Sequence, residues 1–200
     1  MPYDYRRLSP QEREEIVRLR RERDYPLHAP PHPYREAGYY LLTAANFEHV
    51  PVMAAPDRRS EFESGLIKVM KEIKAEIIAW VILPNHYHIL VDIESLDLAS
   101  AALKHLHGST SRQWNIDDGL TEKRRVWYKF SDRLMRNEKQ LHQTFNYIHY
   151  NPVKHGCTED AYEWPWSSLY LYYENNGREW LRERWKSAPP TNDFGRGWDD

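Results

Sequence analysis

Two runs rich in β-branched and aromatic residues, 75–83 (AEIIAWVIL) and 87–93 (YHILVDI), stand either side of a Pro84-Asn85 corner. So short a connection joins strands only as an antiparallel hairpin, because a parallel pair needs a crossover of a dozen residues or more. The rest of the chain must then pack on an antiparallel sheet. Residues 38–46 (GYYLLTAAN) read as a first strand, and over 57–74 the apolar Phe62, Leu66, Val69, Met70 and Ile73 recur at the helical period. After Asp97, residues Ala99, Ala102, Leu103, Leu106 and Trp114 mark a second amphipathic helix that stops near the Asp117-Asp118-Gly119 turn. Residues 126–130 (VWYKF) read as a further strand. Asn137 with Gln140 three positions on opens a last helix with the stripe Leu141, Phe145 and Ile148, which Pro152 should end or bend at Asn151. The order β, α, β, β, α, β, α predicts an α+β fold, an antiparallel β-sheet with helices packed on it.

Two hundred residues, 40% hydrophobic and 14% aromatic, suffice for one core and exclude a disordered chain. The expected organisation is a surface helix and Pro/His linker over 1–37, a main domain over 38–173, and an acidic tail over 174–200. No run approaches the eighteen or so apolar residues of a membrane span, and the first residues lack the pattern of a secretory leader, so a cytoplasmic protein with no membrane partner is expected. The single cysteine, Cys157, excludes an internal disulfide and a cysteine-built zinc site.

The net charge of −2 conceals an uneven distribution. Residues 158–200 carry a net −4, whereas the seven bases of 121–139 outweigh three acids to leave +4. That basic stretch is either a phosphate-binding patch or an ordinary solvated face.

His86 and His88 lie two apart at the start of a strand, where alternation points both imidazoles to one face and lets them share a metal. His105 and His107 have the same spacing but fall in a helical pattern, where residues two apart diverge. Spacing alone leaves open a metal pair or two half-buried hairpin histidines. In YIHYNPVKHG (147–156), Tyr147 sits off the apolar stripe in the last helical turn, with Asn151 four residues on above the same face. A tyrosine beside an amide can be a covalent nucleophile beside a metal ligand, or a helix tyrosine packed on the sheet. Two imidazoles and an amide oxygen suit a labile Mg²⁺ or Mn²⁺ better than a closed zinc site.

Taken together, AWVILPNHYHILV (79–91), VWYKF followed by Arg136-Asn137, YIHYNPVKHG and WPWSS (164–168) resemble one family in order and spacing. It is that of the single-tyrosine HUH transposases associated with repetitive extragenic palindromes (REP). The resemblance spans about 38–173 and implies a ferredoxin-like HUH endonuclease core. It further implies that Tyr147 attacks DNA to leave a 5′-phosphotyrosine and a free 3′-hydroxyl, and that His86, His88 and Asn151 hold a divalent ion, Mg²⁺ or Mn²⁺. The implied substrates are single-stranded DNA hairpins with a short guide at the stem foot, handled by a monomer or a homodimer. For such a substrate Arg124, Arg125, Lys129, Arg133, Arg136, Lys154, Lys104 and Arg112 are expected to track phosphates, while Trp127 and Tyr128 stack on unpaired bases, although strand alternation sends one of those two rings into the core. The residue between the histidines, usually large and apolar in the family, is here Tyr87. Tyr87 and Tyr150 rank below Tyr147 as nucleophile. Two other readings are a hairpin-binding descendant that no longer cuts and a hydrolase that uses a metal-bound water, for which Tyr147 is dispensable.

Overall fold

The computed structural model describes residues 37–190 together with Ser9, Gln11, Arg18, Phe194 and Gly195. The chain divides into two compact units, Met1–Arg35 and Glu36–Asp200. The expected N-terminal helix and linker lie almost wholly outside the described residues.

The elements of the second unit are β1 (Gly38–Ala45), α1 (Pro56–Glu72), β2 (Glu76–Ile82), β3 (His86–Ile93), α2 (Leu96–Asp117), β4 (Ser131–Leu134), α3 (Glu138–Lys154) and α4 (Leu169–Ser187). The four strands form one antiparallel sheet in the order β2-β3-β1-β4. Through β4 this is the βαββαβ pattern of a ferredoxin-like fold, as the family resemblance implied.

Alternation along each strand sorts side chains between two helical layers. Tyr40, Leu42, Tyr87, Ile89 and Val91 join Phe62, Leu66 and Met70 of α1 and Leu103, Leu106 and Trp114 of α2 in one apolar cluster. Leu41, Val81, Leu83 and Leu90 face the other way, toward Phe145, Tyr147 and Ile148 of α3 and Leu169 and Leu181 of α4. Leu66 has no exposed surface, so Leu66→Ala would cost about 2–5 kcal/mol through lost transfer energy and a cavity. The Trp164 to Ser168 segment closes the open edge of β2: Ile82 N–H donates to the Trp166 carbonyl at 2.9 Å, Ser168 N–H to the Trp80 carbonyl at 3.0 Å, and Trp164 Nε1–H to the Ile82 carbonyl at 3.0 Å.

Three expectations shift. The strand read at 126–130 is not one. Trp127 makes only an isolated bridge to Asn46, and the paired strand is β4, the sequence SDRL. Val126 and Trp127 are core residues of the α1–α2 layer, and that burial explains their apolar character. Pro152 does not end α3, which runs one turn further to Lys154. The boundary expected at 173/174 falls inside α4, which kinks at Gly177; beyond the kink Leu181 is buried and Trp180 stacks on Tyr172 at 5.8 Å, so the acidic segment to Ser187 is packed and helical on the far side of that kink. No described helix is long and apolar enough to cross a membrane.

Candidate active site

β3 presents His86 and His88 to the α3 layer, 2% and 0% exposed, with ring centroids 5.1 Å apart. Tyr87 between them points into the α1–α2 layer. Its hydroxyl meets His107 Nε2 at 3.1 Å, and burial holds the phenol far above its usual range. The His105–His107 pair separates as helical geometry requires: His105 is exposed, while His107 is buried with Trp127 stacked on it at 4.6 Å.

Each strand histidine is oriented by a neighbour. Thr43 lies opposite His88 in the β1–β3 register, with its Oγ1 2.6 Å from His88 Nδ1. Asn85 Oδ1 is 2.8 Å from His86 Nδ1, and Asn151 Oδ1 is 3.2 Å from His86 Nε2. In the tautomer that carries its proton on Nδ1, the Nε2 lone pair faces an amide oxygen, an arrangement that a shared cation would relieve. Adjacent ligands of an octahedral ion at about 2.1 Å stand about 3 Å apart, close to the separation here. Among the described residues there is no cluster of three His, Cys, Asp or Glu side chains able to hold a metal. A cation at this place would rest on His86, His88 and the neutral Asn151 amide. The donor set fits a hard, labile divalent ion.

Asn151 and Tyr147 are neighbours one turn apart on α3, 0% and 3% exposed. Tyr147 is therefore not off the buried face, as the apolar stripe suggested; it packs on the sheet with its ring edge-on to His88 at 5.5 Å. Its Oη accepts a hydrogen bond from Lys154 Nζ at 3.1 Å, and the same nitrogen lies 4.8 Å from the ring centroid. Phe194 touches the ring at 5.8 Å. Gly195 is so close that a Cβ there would stand 2.3 Å from Tyr147 Cε2 and 2.8 Å from Oη. Tyr150 is exposed and turned to Trp185 at 5.3 Å.

His155 adjoins the pair, with its ring 4.8 Å from that of His86. It stands four residues past Asn151, a helical spacing hidden by reading Pro152 as a stop.

The expected phosphate contacts do not form one surface. Lys104 and Arg112 are exposed on α2, in the layer opposite α3. Arg124 bonds Asp118 at 2.7 Å beside Arg58, and these guanidinium groups, Arg58 foremost, hold the Asp118 carboxyl below its usual range. The Arg125 guanidinium lies over Phe47 and Tyr128 at 4.7 and 5.4 Å. Arg133 is half-buried on β4, Lys129 and Arg136 are exposed, and Lys154 is turned to Tyr147. Trp127 is the ring in the core; the half-buried Tyr128 packs on Phe47 at 5.0 Å.

The chain is 32% identical over 123 residues to a REP-associated tyrosine transposase of Haemophilus influenzae, an alignment covering 57% of this chain and 70% of that relative. It belongs to the REP-associated tyrosine transposase family. A family member from Escherichia coli K12 is 32% identical over 108 residues, 53% of this chain and 61% of the relative. The solved structure of a REP-associated tyrosine transposase bound to a REP hairpin superposes with a TM-score of 0.60 at 24% identity, covering 75% of this chain and 88% of that one. The shared fold is the α+β arrangement described above. No family model matches the chain.

Proposed function

We propose that this REP-associated tyrosine transposase binds single-stranded DNA hairpins and cuts and rejoins them by metal-dependent transesterification through Tyr147. One observation carries the reading: Tyr147 and Asn151, on one face of α3, are packed against His86 and His88 of β3. His86, His88 and Asn151 would hold a divalent ion, which when bound neutralises charge on the scissile phosphate. Thr43 and Asn85 set the imidazole orientations. Tyr147 Oη attacks phosphorus, the bond to the 3′-oxygen breaks, and the 5′ end stays on the tyrosine; burial of the ring limits the directions from which Oη can meet phosphate. Attack by a 3′-hydroxyl on that ester rejoins the strand.

Incubation with a labelled hairpin carrying single-stranded flanks, in Mn²⁺, should give a protein–DNA adduct that survives denaturing electrophoresis. Tyr147→Phe should abolish the adduct and keep hairpin binding. An adduct in that variant, or one mapped by mass spectrometry to Tyr150 or Tyr87, would refute the mechanism. A second reading, binding without cutting, draws on the Gly195 contact that covers Tyr147; it predicts no adduct in either protein.

A further inference from the structure

We infer that Lys154 serves the Tyr147 hydroxyl in catalysis and is not one of the residues that track the DNA backbone. The inference rests on the transesterification proposed above. Lys154 is seven residues beyond Tyr147, almost two full helical turns, so both side chains rise from the same face of α3. This holds only because the helix continues through Pro152. A chain that left the helix at Asn151 would carry the lysine elsewhere. Its Nζ donates to Oη at 3.1 Å and sits 4.8 Å from the ring centroid. Together these contacts restrain rotation of the phenol and keep a positive charge at the reacting oxygen.

In the forward step the Oη–P bond forms and the P–O3′ bond breaks. The phenolic proton passes to water and the 3′-oxygen takes a proton from water. In the reverse step the 3′-oxygen attacks and Oη departs, with the proton movements reversed. Lys154 keeps its protons throughout. Negative charge resides on Oη in the one transition state that both directions share, and the ammonium beside it stabilises that state. A group acting in this way speeds cleavage and rejoining by one factor and leaves their equilibrium unchanged. A phosphate-tracking lysine instead strengthens binding and adds to its salt dependence.

The test uses the full chain with a flanked DNA hairpin and Mn²⁺. Single-turnover rates of adduct formation and of rejoining would be measured with saturating protein, alongside hairpin Kd across a salt series. Lys154→Gln should slow both rates by the same factor, of the order of 100-fold as for loss of one preorganised donor. The adduct fraction at equilibrium, the Kd and its salt slope should stay as in the unsubstituted protein, and Lys154→Arg, which returns a cationic donor, should recover most of the rate. Unaltered Kd also certifies that the variants fold. The inference is overturned if Lys154→Gln weakens binding and flattens the salt slope while saturated rates hold, if one direction slows without the other, or if the arginine variant is as slow as the glutamine one. Absence of an adduct in the unsubstituted protein defeats the Tyr147 mechanism itself, and this assignment with it.

Discussion

Thr43 and His88 face each other across β1 and β3, and the threonine hydroxyl lies 2.6 Å from His88 Nδ1. With Nδ1 at the threonine, Nε2 is the nitrogen through which His88 would ligate a cation. Outer partners of this kind are worth about 10- to 100-fold in metal affinity, because they fix the tautomer and the ring plane. Thr43→Val keeps the branched shape that suits a strand and removes only the hydroxyl. It should weaken Mn²⁺ binding to the DNA-free protein by about that factor, read by electron paramagnetic resonance titration, with hairpin affinity in EDTA preserved. Unchanged Mn²⁺ affinity would show that His88 is not held for a metal.

His107 supplies a pH prediction from the other side of the sheet. Burial among Tyr87, Phe62 and Trp127 lowers its imidazole to about 4, against 6.5 in the unfolded chain. The folded state thus resists the proton that the unfolded state accepts. The contribution is complete above about pH 6.5 and is lost as pH falls toward 4, at about 1.4 kcal/mol per pH unit. His107→Gln removes the titration. Urea unfolding between pH 6.5 and 5 should therefore show the unsubstituted protein losing about 2 kcal/mol more than the variant. Equal losses would place the acid sensitivity elsewhere.

Salt dependence sorts the basic residues of the segment between α2 and α3. Arg124 is committed to Asp118 and Arg125 to two aromatic rings, whereas Lys129 and Arg136 are exposed. Reversing Lys129 and Arg136 together should lower the slope of log K against log salt by about 1.4 to 1.8, the loss of two phosphate contacts. Arg124→Glu should change the slope less and lower the thermal midpoint more. The reverse ranking would mean that the Asp118 pairing breaks when DNA binds.

The layers and the histidine pair were legible because both depend on local periodicity. A strand that reads H-Y-H-I-L-V-D-I has to send His86 and His88 one way and Tyr87 the other, and the helices announce themselves at three and four. What escaped depended on distant pairing. Nothing near Thr43 tells that His88 will lie opposite it. The paired strand β4 is a short edge segment, Ser131 to Leu134, without an apolar alternation, so the neighbouring VWYKF drew the assignment by its burial in the helical layer. The acidic composition of α4 masked its few core positions, Leu169 and Leu181. Pro152 concealed a whole turn of α3, and with it the places of Lys154 and His155. Proline disfavours helix at the preceding residue, yet Asn151 is held at the buried site and the helix carries on past it.

The contact between Gly195 and Tyr147 leads to the last prediction. Gly195 has φ +78, a conformation natural to glycine, and no side chain fits between its Cα and the phenol. Phosphate must reach Oη for in-line attack, and Lys154 and Gly195 already occupy two of its sides. On the proposed Tyr147 mechanism the Phe194–Gly195 segment would have to withdraw before attack, and the rate would then carry the fraction of molecules in which it has done so. Gly195→Ala introduces a methyl group that cannot coexist with this seating, and a chain stopped after Pro190 lacks the segment altogether. Both should form the Tyr147 adduct several times faster than the unsubstituted protein at saturating hairpin, with the equilibrium adduct fraction raised as well if the covered state is restored after cleavage. Rates equal to or below the original in both variants would mean that the segment supports the site instead of covering it.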